Sequence, residues 1–145
     1  MRLETVRDLT RDRNLAERHI QFLTAECQKL QEESPLSDET RLRLKETQSR
    51  LSDVKEYFAK LEPKLKAAIA ALSQKIRELP NEKDSLILFE VYILLTPIRT
   101  AAKELHLNDT AAYNMHAKAR DAYNTAQGIP LYKDGRGRKK WSDDD

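Results

Sequence analysis

The sequence predicts an all-α chain: an N-terminal antiparallel helical hairpin or coiled coil over residues 1–78, a helix-turn-helix over 79–127, and a flexible tail over 128–145. Three observations predict it. With only 3 glycines and 5 prolines in 145 residues, there is too little turn chemistry for a many-stranded sheet. Charged residues reach 34% and hydrophobic residues 39%, a balance that suits narrow apolar seams flanked by charge. Apolar residues recur at alternating spacings of three and four along the first half of the chain.

The first seam is Val6, Leu9, Arg13, Ala16, Ile20, Leu23, Cys27 and Leu30, with Arg13 as its charged interruption. Leu15 and Phe22 fall off the seam, which predicts contact on a second side of that helix. The stretch 33–39 reads as a turn: Pro35 cannot continue a helix, and Ser37 can cap the next one, with Asp38 and Glu39 in its first turn. A second seam follows through Leu44, Thr47, Leu51, Val54, Phe58, Leu61, Leu65, Ala68 and Leu72. An interior proline costs a helix roughly 3 kcal/mol. The helix is therefore expected either to kink there or to stop near Leu61 and restart with Pro63 in its first turn; the restart is favoured slightly, because the apolar face widens afterwards to include Ile69 and Ile76. Each seam needs one partner helix, which is either the neighbouring segment or a second copy of the chain, a homodimer through the N-terminal heptads.

From Leu79 the charge density drops and the most apolar stretch, LILFEVYILL, appears. Thr96 can cap a short helix with Pro97 at its first position, and Ile98, Ala101, Ala102 and Leu105 form one face of it. Asn108 or Asp109 caps the next helix, which places Ala112, Met115 and Ala119 inward. Ala102 allows a close crossing and Leu107 plugs the turn, so Ala101, Ala102, Leu105, Leu107, Ala112 and Met115 are the expected core of a helix-turn-helix. Such a geometry sets the second helix in the major groove of double-stranded DNA. Asp109, Thr110, Tyr113, Asn114, Ala117, Lys118 and Arg120 then face outward. Asn114 suits adenine, Ala117 a thymine methyl, and Thr110 a base or a phosphate; Tyr113, Lys118 and Arg120 suit phosphates.

Leu79-Pro80-x-Glu82, Ile87, Leu88, Tyr92-Ile93, Ala101-Ala102-x-x-Leu105-x-Leu107, Tyr113, His116 and Ala119 together resemble region four of sigma factors. They are most similar to the variant in phage late-gene activators of the ArpU, RinA and LtrC type. The resemblance covers roughly residues 79–124. It implies promoter binding and, by analogy, contact with RNA polymerase. His106 stands where that family commonly carries glycine, and so does the region of Leu94-Leu95. A small terminase-like DNA-packaging subunit and a coiled-coil adaptor without nucleic acid are the alternative readings.

Other chemistry finds little footing. There is no glycine-rich phosphate loop, nucleophile elbow or metal motif, so no enzyme, cofactor or metal is expected. His19, His106 and His116 read as solvated or capping groups, and Cys27 as a small buried hydrophobe. A mean hydropathy of -0.74 and a charged N-terminal stretch predict no membrane span or leader; with the lone Cys27 the chain reads as intracellular, and the resemblance implies the cytoplasm of a bacterial host. In the tail, Lys133, Arg136, Arg138, Lys139 and Lys140 precede Trp141 and Asp143–Asp145; a solvated end is favoured over a DNA-following arm.

Overall fold

A computed structural model describes residues 1–33 and 35–130. Ser34 of the predicted turn and the basic and acidic tail residues from 131 onward lie outside them. The described chain is helical and contains no strand. Its elements are α1 (Thr5–Gln31), α2 (Asp38–Arg77), α3 (Glu82–Leu88) continued by a π-helical turn (Phe89–Ile93), α4 (Ile98–Glu104) and α5 (Asp109–Ala126). No described helix is long and apolar enough to cross a membrane. The chain divides into two compact units, residues 6–68 and residues 1–5 with 69 onward. The second unit starts earlier than the compositional change at 79 and takes in the first five residues.

In the 6–68 unit every seam position of α1 is buried or half-buried, from Val6 to Leu30. The α2 seam is half-buried from Leu44 to Phe58 and buried at Leu61, Leu65 and Ala68. Arg13, the charged seam position, directs Nη1 to Glu62 Oε1 at 3.3 Å, which links α1 to α2. Its side chain and that of Glu62 remain 33% and 41% exposed, so the pair contributes no more than about 1 kcal/mol. Ser37 caps α2 as its sequence position suggests: its Oγ accepts from Thr40 N at 3.1 Å. Thr40, which is buried, passes its own hydroxyl hydrogen to Glu33 Oε1 at 3.0 Å.

The expected break at Pro63 does not occur. The helix α2 runs without interruption through it. Leu61 and Leu65, buried on either side, hold the register, and the apolar burial outweighs the missing hydrogen bond. Pro63 and Ala59 are both exposed, so the carbonyl deprived of its donor sits on the solvent side. The widened face is also narrower than expected: Ile76 is fully buried, but Ile69 is 37% exposed.

In the other unit, α3 and α4 both pack on α5, and the core holds Leu72, Ile76, Ile87, Leu88, Tyr92 and Tyr123. Asn81 caps α3 by accepting from Lys83 N, and Ser85 Oγ donates to Ile76 O at 2.8 Å, fastening α3 to the end of α2. Residues 1–5 add Leu3, 1% exposed, while Tyr123 Oη donates to Met1 O at 2.6 Å.

Pro63→Ala restores the missing donor at an exposed position. It should stabilise the chain by roughly 1–3 kcal/mol, read as a higher urea midpoint at unchanged slope. An unchanged or lower midpoint would show that the proline ring at this position is required by the packing of α2.

Candidate nucleic-acid interface

The helix α4 starts one residue later than the sequence suggests. Pro97 is its N-cap, Ile98 its first residue, and the Pro97 carbonyl accepts from Thr100 N and Ala101 N, both at 3.0 Å. Thr96 does not cap it; its backbone N–H donates instead to Glu90 O at 2.8 Å, closing the π-helical turn. That closure places Leu95 at φ 58°, in the left-handed region.

The turn from α4 to α5 is set by two caps. Leu107 N donates to Ala102 O at 2.8 Å and His106 N to Lys103 O at 3.2 Å, the paired bonds of a Schellman C-cap. His106 occupies its left-handed position at φ 59° and is exposed, so its expected solvated, capping role fits the backbone. Asn108, not Asp109, caps α5: its Oδ1 accepts from Ala111 N at 2.8 Å. Asp109 falls in the first turn, where its carboxylate meets the positive end of the helix, and lies 3.6 Å from Arg99 Nε on α4. Both partners are more than half exposed, so the pair is weak.

The helix α5 has two distinct faces. Ala112, His116, Ala119 and Tyr123 are buried, and Met115 is half-buried beside them. Asp109, Thr110, Tyr113, Asn114 and Lys118 are exposed, with Ala117 and Arg120 half-buried at the margin. Ala101 and Ala102 of α4 are fully covered, and Leu105 and Leu107 are half-buried at the turn. The residues expected in the core thus lie inward, and those expected to face a ligand lie outward or at the border.

His116 departs from expectation. It is buried, not solvated: its Nε2 lies 2.8 Å from Tyr92 Oη, and the two rings stack with centroids 5.6 Å apart. Burial, and then the positive charge of Arg120, lower its pKa from 6.5 to about 4, so the ring is neutral at pH 7. The signal was present in the sequence: His116 shares a helical stripe with Ala112, Ala119 and Tyr123. Tyr123 was missed altogether and is the largest fully buried side chain. Burial, followed by the nearby Glu4 carboxylate, raises its pKa, which keeps the phenol protonated as the donor to Met1 O.

His19 is exposed, Cys27 is free and buried, and no cluster of metal-binding side chains occurs among the described residues. No family model, curated protein or solved structure matches the chain.

The lowered His116 pKa ties stability to pH. Above 6.5 the ring is neutral in folded and unfolded chains alike, and the burial is fully tolerated. Below 6.5 the unfolded chain takes up a proton that the folded chain refuses until pH about 4. Stability should therefore fall on acidification, by about 2 kcal/mol between pH 7 and pH 5 from this group. Urea titrations of the wild type and of His116→Gln at both values check it. Equal losses in the two proteins would show that His116 is not the source.

Proposed function

We propose that this chain is a sequence-specific, DNA-binding transcription regulator. In this reading α4, its tight turn and α5 form a helix-turn-helix, and α1 and α2 form an antiparallel hairpin that serves as an arm. The observation that carries it is the division of α5. The face built from Ala112, His116, Ala119 and Tyr123 is used up in packing, while Thr110, Tyr113, Asn114 and Lys118 are left open along one side. An exposed helix face that presents an amide, a hydroxyl, a phenol and a lysine has the hydrogen-bonding groups for base edges and the charge for phosphates. Arg120 at the border adds a second cation, and the methyl of Ala117 a small apolar contact.

The likeness to sigma region four and to phage late-gene activators gives the reading its further content. On that analogy the target is a promoter-proximal duplex site in a bacterial host. The arm, or the outer side of the module, would then meet RNA polymerase, and activation would come from retaining polymerase rather than from catalysis.

Fluorescence anisotropy with duplex DNA across a salt series tests the proposal. Binding should weaken steeply as salt rises. Lys118→Ala should lower the slope of log affinity against log salt by about one, uniformly across sequences. Asn114→Ala should cost about 1–3 kcal/mol on a selected site and relax its base preference. Absence of binding at low salt would favour the adaptor reading. Binding that ignores both substitutions would remove α5 from the groove.

A further inference from the structure

The helix α1 carries a second surface that its seam does not use. Leu15 and Phe22, one heptad apart, are 47% and 63% exposed. They share a stripe with Asp8 and Arg11 toward the N-terminal end and with Glu26 and Lys29 toward the C-terminal end. All six lie within one narrow sector of the helix, because each is three, four or seven residues from the next. Beside Leu15 the surface dips into a groove lined by Ala16 and His19 of α1 and by Val54 and Tyr57 of α2. Tyr57 is itself 51% exposed.

The order of charges along the stripe decides what can cover it. It reads negative, positive, apolar, positive, apolar, negative, positive from Asp8 through Arg18 to Lys29. Turned end for end and laid on itself, the pattern is complementary on both sides of its centre: Asp8 meets Lys29, Arg11 meets Glu26, and Leu15 meets Phe22, while Arg18 falls opposite His19. A parallel copy would set like charges opposite one another. Antiparallel pairing also sets the negative end of each helix beside the positive end of the other. A two-fold axis near residues 18 and 19 makes each of these three complementary pairs twice, as an isologous interface requires.

We infer that the outer face of α1 is a homodimer surface, in which Phe22 of each copy enters the groove beside Leu15, Val54 and Tyr57 of the other. This surface is distinct from the heptad seam. The seam positions of α1 are already buried or half-buried within one chain, so they offer little to a second copy. The aromatic ring supplies the apolar anchor, and the exposed Asp8, Arg11 and Lys29 with the half-buried Glu26 fix direction and register. The inference stands whether or not α5 reads DNA; if it does, the dimer carries two reading helices and its site has two halves.

Sedimentation equilibrium of the full chain over a dilution series tests it. The wild type should associate to a dimer, and Phe22→Asp should weaken the association roughly thirtyfold or more. Arg11→Glu and Glu26→Arg should each weaken it, because each sets like charges opposite one another. The double variant Arg11→Glu/Glu26→Arg should regain much of the loss, which misfolding of either single variant would not permit. Circular dichroism melts confirm that each variant is folded. A wild type that stays monomeric throughout overturns the proposal. So does a dimer indifferent to Phe22→Asp, or a double variant no tighter than its parents.

Discussion

Ala101, Ala102, Ala112 and Ala119 have no exposed surface at all, and the arrangement of α4 and α5 depends on their size. A methyl group is enough to fill the space where α4 and α5 pack and small enough to let them approach closely. Any larger side chain would push the helices apart or force a rotation, since a packed core accommodates added volume poorly. Rotation is the sensitive variable. A shift of one residue turns a helix by ~100° and would exchange Asn114 for its neighbours on the outer face. The stacked Tyr92–His116 pair joins the π-helical turn to α5 and adds a directional contact that alanines cannot provide. Close packing sets the distance, and the hydrogen bond sets the rotation.

The backbone supports this arrangement at some cost. Leu95 and His106 both adopt positive φ without being glycine. Left-handed geometry costs a side-chain-bearing residue roughly 1–2 kcal/mol. Each is over-determined by the bond made by the residue after it, Thr96 N to Glu90 O and Leu107 N to Ala102 O. In both places the chain must reverse within a few residues, and the following half-buried Thr96 or Leu107 leads it into the next element.

Much of the architecture was legible because it is periodic. The two seams of α1 and α2 follow from spacing alone, and their burial agrees position by position with few exceptions, Ile69 among them. Pro63 was misread because local propensity argued for a break while burial on both sides argued for continuity, and burial dominates. The faces of α5 were legible in outline, but His116 was judged by its chemistry instead of by its place on the apolar stripe. The pairing of Tyr123 with Met1 left no trace in the sequence, since no local pattern encodes a contact between chain ends. Leu15 and Phe22 did leave one: they were the apolar residues with no place on the seam.

That same bond between Tyr123 and Met1 joins residues 122 positions apart. Closing so long a loop is entropically costly and belongs late in folding. During synthesis residues 1–5 are made well before the surface that receives them, which does not exist until α5 has been made. The 6–68 unit, whose helices neighbour one another in sequence and are linked by Arg13–Glu62, can assemble in the interval. The two units are thus ordered in time as well as in sequence, and residues 1–5 become seated only after the 6–68 unit has been made.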